Sequence, residues 1–306
     1  MDFSIFSELW RFAAAVSANS VVGIALTQLD KVILINLLSL ERFGYYALAS
    51  LVSGFLWSII LPLNTALYPR FVQLLERGAA AELSIQYHKT CQVLAVILFP
   101  TALLLAMFSH ELLSLWTGNE AVARNSSLLV SLLSIGTTIN GIASVPAYLQ
   151  SAAGWPGLVL KTNTLLMMVI VPALLIIVPL YGAVGAALVW VALNCIYVLI
   201  TVPIMHRRLL RGELRSWYTR DVALPALAVL GIGVPARLLM PAGWPAYLQL
   251  LFLALVWGVC ALSAGLIAPQ FRRTVFDILS HRRSAARNGP DITNGNATAP
   301  RPKGLS

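Results

Sequence analysis

The chain has 306 residues, of which 58% are hydrophobic and only 11% charged, with a net charge of +9. Soluble domains are about one quarter charged, so a water-soluble globular protein is excluded, and the many apolar runs of ~20 residues specify spanning helices rather than the alternating strands of a barrel. The basic residues sit between the apolar runs and no sizeable basic domain is present, so they fit membrane orientation rather than nucleic-acid binding.

Taken in order, the runs predict an all-α polytopic membrane protein of about eight transmembrane helices. The first span covers residues 12–38. It reads as a retained span, with no separate signal peptide before it. The second covers 45–67 with Pro62 inside it, the third 91–108, and the fourth 128–149. The fifth and sixth cover 159–180 and 183–205; the seventh and eighth cover 222–240 and 246–268. Residues 1–281 are expected to form one helix bundle, with a six-helix lobe over 9–206 and two further helices over 222–268. Residues 282–306 turn to Asn, Gly, Pro, Ala and Arg and are expected to form a disordered basic tail.

Arginine and lysine decide sidedness. Arg11 precedes the first span; Arg70, Arg77 and Lys89 follow the second; Lys161 follows the fourth. Arg207, Arg208, Arg211, Arg215 and Arg220 follow the sixth, and Arg272 and Arg273 follow the eighth. Alternate loops are basic, so the positive-inside rule places both termini in the cytoplasm. The segment 206–220, basic with Leu209, Leu210, Leu214 and Trp217 interspersed, is either a headgroup-level stretch that attracts anionic lipid or a plain orientation anchor. Residues 70–89 read as a cytoplasmic loop holding an amphipathic turn or short helix.

The residues that invite a functional reading are polar ones inside these runs. On the first span Asn19, Gly23, Thr27 and Asp30 recur at helical spacing on one face, with Gln28 and Lys31 beside them. Charge in hydrocarbon is costly and faces a protein interior or a wet cavity. Asp30 and Lys31 therefore either pair with a neighbouring helix or take part in the passage of a substrate or ion, and the second reading is favoured. Ser50, Gly54, Ser58 and Thr65, with Asn64, make a stripe on the second span; Ser134, Thr137, Thr138, Asn140, Gly141 and Ser144 cluster on the fourth. Such stripes also serve close helix packing. Arg70, after Pro69, offers a planar fork for a phosphate. Cys91, Cys195 and Cys260 read as small apolar residues, and the scattered histidines give no metal site. No hydrolase, metalloprotease or phosphate-cradling motif occurs, and no cofactor is called for.

Several stretches together resemble a known family. Thr27-Gln28-Leu29-Asp30-Lys31-Val32-Ile33-Leu34 with Phe43-Gly44-Tyr45-Tyr46-Ala47-Leu48-Ala49 resembles a helix hairpin of bacterial polysaccharide and O-antigen flippases, members of the multidrug/oligosaccharidyl-lipid/polysaccharide exporter superfamily. Leu113-Ser114-Leu115-Trp116-Thr117-Gly118, Ala152-Ala153-Gly154 and Tyr181-Gly182-Ala183-Val184-Gly185-Ala186-Ala187 look like later junctions, so the likeness covers roughly 5–210. The resemblance implies the second lobe of a two-lobe exporter that flips an undecaprenyl-diphosphate-linked oligosaccharide across the bacterial cytoplasmic (inner) membrane by alternating access. It also implies a missing first lobe, supplied by another chain or by a homodimer, and contact with membrane lipids. A truncated gene, a split gene and a half-size dimer are the alternatives for its origin. A cation-coupled drug exporter of the same superfamily and a membrane polysaccharide polymerase or ligase are the rival functions.

Overall fold

A computed structural model describes residues 3–273 apart from residue 242; the side chains of residues 3–9, 11, 12, 15, 16, 19, 22, 23, 25–27, 156 and 159 lie outside that description. The expected tail over 282–306 also lies outside it. Every regular element among the described residues is helical: α1 (Phe3–Leu37), α2 (Leu40–Gly54), α3 (Trp57–Glu76), α4 (Ala80–Met107), α5 (Ser109–Thr117), α6 (Glu120–Ala152), α7 (Pro156–Leu209), α8 (Leu214–Ser216), a π-helical segment (Trp217–Ala223), α9 (Leu224–Leu239) and α10 (Ala246–Ile267).

Among the described residues, six stretches are long and apolar enough to cross a membrane: Leu40–Glu76, Ala80–Met107, Glu120–Ala152, Leu160–Leu209, Leu214–Leu239 and Ala246–Ile267. The chain is an all-α, multi-pass membrane protein. The fifth and sixth expected spans fall within the single stretch Leu160–Leu209, broken only at Gly182, where φ is 61° and ψ −146°. That conformation is open almost solely to glycine. The first expected span falls on α1.

Several boundaries differ from the sequence reading, and the hydrogen bonds say why. The expected loop over 70–89 is nearly all helix. α3 continues through Tyr68, Pro69 and Arg70 to Glu76, and α4 begins at Ala80. Gly78, at φ 65°, closes α3, and Ala79 N–H returns to the Leu74 carbonyl, a glycine-capped helix end that needs no loop. The second span bends at Gly54–Leu56, where Phe55 and Leu56 donate to Val52 and Ser53 three residues back. Pro62 adds to the bend by leaving the Ser58 carbonyl without an i+4 donor. The seventh span starts earlier than expected, at Leu214, and passes through the π segment. Pro225 has no N–H for the Asp221 carbonyl, which fits the wider register there.

α6 is the centre of the bundle, in contact with α2, α3, α4, α5 and α7. Its small residues allow this. A Cβ on Gly141 would lie 2.6 Å from Ile60 Cδ1 on α3, and one on Gly136 would lie 2.4 Å from Trp190 Cδ1 on α7. Gly141 therefore serves packing. α9 and α10 dock instead on α4, where Gly233 leaves room for Leu103.

A buried polar cluster ties this second contact together. Asp221, fully buried on the π segment, meets His88 Nδ1 and accepts from Gln92 Nε2 at 2.8 Å. His88 Nε2 faces Glu213 Oε2 at 3.1 Å. An imidazole carries N–H on both nitrogens only when protonated, so this geometry fits an imidazolium between two carboxylates. The Gln92 Oε1 accepts from the backbone N–H of Gln270 at 2.8 Å, just beyond α10. His206 and Trp217, in the basic segment read either as a headgroup-level stretch or as an orientation anchor, are buried here: His206 Nε2 lies 3.3 Å from the Tyr87 hydroxyl, and its ring is tilted against Trp217. Burying aromatic area outweighs interfacial placement for a tryptophan that finds a packed neighbour. Cys91 and Cys260 are buried, Cys195 is half-buried, and none of the three forms a disulfide.

Candidate functional site

A cavity of ≈ 730 Å³ lies between α1, α2, α3, α6 and α7. From α1 it receives Ser20, Gln28, Asp30 and Lys31; from α2, Ser50, Ser53 and Gly54. α6 contributes Thr137, Asn140 and Ser144. Four aromatic residues, Trp57, Tyr148, Trp190 and Tyr197, complete the wall with Asn163 and Asn194.

The charged corner of this cavity is set by the α1–α2 turn. Ser39 caps α2, its Oγ accepting from the Arg42 N–H at 3.4 Å, and Glu41 in the first turn complements the helix dipole. So short a connection makes the two helices antiparallel neighbours. Asp30 and Tyr46 each lie roughly two turns from it, at about 10–14 Å along their axes, and so stand at one level. There the Tyr46 hydroxyl donates to Asp30 Oδ2 at 2.5 Å, while Asp30 Oδ1 accepts from the Lys31 N–H at 2.8 Å. Lys31 Nζ donates to Gln28 Oε1 at 3.1 Å, one turn back on the same helix. The two charges thus do not bond side chain to side chain. Each is held by a neutral partner, and both remain on the cavity wall.

The α6 wall is built differently. Asn140 Nδ2 donates to Asn194 Oδ1 at 2.5 Å across to α7, and Asn194 Nδ2 donates to the Trp190 carbonyl at 2.8 Å. Trp190 lies against α6 where Gly136 has no side chain. Carboxamides and indole are therefore locked side by side. Amides paired in this way keep further lone pairs and N–H groups for a ligand.

Comparison with known proteins now has a geometry to attach to. The family profile described as "Polysaccharide biosynthesis protein" matches residues 1–122. Over that segment the chain is similar to this family of polysaccharide biosynthesis proteins. It is 21% identical over 188 residues to a "Putative O-antigen transporter" of Shigella flexneri, a match covering 61% of this chain and 44% of that protein. It is 24% identical over 242 residues to "Lipopolysaccharide biosynthesis protein WzxC" of Escherichia coli K12, covering 74% of this chain and 47% of the relative. The chain thus spans about half the length of the curated relatives it matches. No solved structure matches.

Of the residues singled out by sequence, Gln28, Asp30, Lys31 and Asn140 line this cavity. Asn19 and Thr27 lie on α1, but their side chains fall outside the described residues. Asn64 sits behind the wall, 1% exposed, and donates to Ser144 Oγ at 2.6 Å, joining α3 to α6. Arg70 is apart from the cavity, on the exposed end of α3, 3.8 Å from Glu82 across the α3–α4 turn. Ser58 and Thr65 turn their hydroxyls onto their own helix, to Phe55 O at 2.7 Å and Leu61 O at 3.0 Å. The aromatic wall and Asn194 escaped sequence reading because a tryptophan or tyrosine in an apolar run looks like any other spanning residue. A lone Asn194 in so apolar a span was the one signal that pointed there.

Proposed function

We propose that this chain is one lobe of a transporter that carries an undecaprenyl-diphosphate-linked oligosaccharide across the bacterial cytoplasmic membrane by alternating access, without catalysing bond chemistry. The observation that carries the reading is the Asp30–Tyr46 and Lys31–Gln28 corner, held on the wall of a ≈ 730 Å³ cavity and lying inside the segment 1–122 that matches the family. Half-buried charge that makes no side-chain ion pair among the described residues favours passage over structural pairing. The names of the two relatives, one an O-antigen transporter and one a lipopolysaccharide biosynthesis protein, supply the substrate class. In this reading both termini face the cytoplasm. Asn19, Thr27, Gln28, Asp30, Lys31 and Asn140 lie along the pathway, Arg70 stands at its cytoplasmic approach, and Asn64 braces the wall from behind. A second lobe, from another chain or a second copy of this one, completes the passage, since the relatives are about twice as long.

The test is complementation of an O-antigen-flippase-null strain by this chain joined to the first half of a full-length relative. Restored surface O-antigen, lost again in the Asp30→Ala, Lys31→Ala double variant at equal membrane abundance, is the expected result. Full surface O-antigen from that double variant would remove the cavity from the mechanism.

A further inference from the structure

The cavity wall carries more information than its charged corner. Among the described residues that line it, there is no arginine, Lys31 is the sole cation and Asp30 the sole anion, so their formal charges cancel. Each is already held, Lys31 by Gln28 and Asp30 by Tyr46. A diphosphate brings about two negative charges into a low-dielectric space, where an anion without matching cations is strongly disfavoured. Phosphate sites are built from arginine forks, lysines or clustered backbone N–H groups, and this wall offers one lysine. Its remaining surface is aromatic and carboxamide. Trp57 and Trp190 each pack partly against the core while facing the cavity, and Asn140 and Asn194 stand beside Trp190.

That pairing of surfaces matches one ligand chemistry. A pyranose presents faces of C–H groups and an equator of hydroxyls. C–H faces lie against indole and phenol rings through dispersion and weak C–H contacts, and hydroxyls exchange donors and acceptors with carboxamides. The wall is rigid in the places this requires: Gly136 seats Trp190, and the Asn140–Asn194 bond fixes both amides. Resting on the proposed function, we propose that this cavity binds the uncharged sugar rings of the lipid-linked substrate, and that the diphosphate is held elsewhere. Trp57 and Trp190 are the stacking surfaces, and Asn140, held in place by the buried Asn194, bonds the hydroxyls.

The experiment uses the purified full chain in lipid nanodiscs, with a tritiated neutral trisaccharide of hexose and N-acetylhexosamine and, separately, geranyl diphosphate as a short prenyl diphosphate. Saturable trisaccharide binding that excess geranyl diphosphate does not displace is expected. Trp57→Ala and Trp190→Ala should each weaken it about tenfold, as expected for loss of one aromatic contact. Trp57→Phe, which keeps a ring, should retain it and shows that the fold is intact. Trp116→Phe, on exposed α5 outside the cavity, serves as the unaffected control. Displacement by geranyl diphosphate, or trisaccharide binding indifferent to Trp57→Ala and Trp190→Ala, overturns the inference. Translocation of lipid-linked oligosaccharide is measured on a two-lobe fusion in liposomes. Translocation without trisaccharide binding overturns this inference alone; trisaccharide binding without translocation overturns the transport reading alone.

Discussion

The bond between Tyr46 and Asp30 is the contact on which the shape of the charged corner depends, and its removal has a calculable cost. Tyr46 is 0% exposed, and its hydroxyl donates to Asp30, with Ser50 as a second side-chain partner. Tyr46→Phe keeps the ring and its packing and deletes only the donor. A hydrogen bond to a charged group contributes about 1.5–3 kcal/mol, and stranding a buried acceptor costs about 1–3 kcal/mol. Asp30 keeps the Lys31 N–H on its other oxygen and lines the cavity, where water reaches it, so the expected loss sits at the lower end, about 1–2 kcal/mol. Asp30→Asn weakens the same bond from the other side. In a double-mutant cycle the two changes should couple by about 1–2 kcal/mol, because neighbours that share a bond do not add. The assay is reversible unfolding in mixed micelles, followed by circular dichroism, for the wild type, both single variants and the double. A coupling below about 0.3 kcal/mol, within the additivity of independent sites, would refute the reasoning.

Other outcomes follow from particular contacts. Gly136→Ala places a methyl 2.4 Å from Trp190 Cδ1, so Trp190 must move; a loss of about 1–3 kcal/mol is expected in the same unfolding assay, with a shift in tryptophan emission. Gly182→Ala forces a side chain into φ 61°, ψ −146° and should cost about 1–3 kcal/mol, seen as a lowered melting temperature in detergent. Asp221→Ala leaves His88 and Gln92 facing a void, and breaking such a buried pair should cost about 3–5 kcal/mol. By contrast Arg70→Ala breaks a 3.8 Å pair between exposed side chains and should change stability by less than about 1 kcal/mol. Equal melting temperatures for Asp221→Ala and Arg70→Ala would contradict the contrast.

How much of this was legible beforehand depends on what each residue type discloses. Hydropathy disclosed the helices, because nothing else explains apolar runs of such length. It misplaced the ends where helix outlasts hydrocarbon, as in α3 through Pro69 and Arg70 to Glu76. Proline and charge there read as loop, yet neighbouring helices support an interior proline. Asp30 and Lys31 were legible because charge in an apolar run demands a reason. Their partners were only half so: Gln28 was near in sequence, whereas Tyr46 became a partner only through the tight α1–α2 turn. Asn64 and Arg70 look as functional as Asn140 from composition alone. Only the bundle separates them, with Asn64 bonded to Ser144 behind the wall and Arg70 beside Glu82 at a helix end. The cluster of His88, Asp221 and Glu213 was invisible because its members are 125 and 133 residues apart.

The most direct test of the central claim, that the cavity is the path of the saccharide, is site-specific photocrosslinking in living cells. A benzophenone amino acid replaces Asn194 on the cavity wall or, as control, Leu251, which is 67% exposed on α10. The cells carry glycan-labelled lipid-linked oligosaccharide. Label captured at position 194 and absent at 251 is the predicted result. Equal capture at both positions, or capture at 251 alone, would contradict the account.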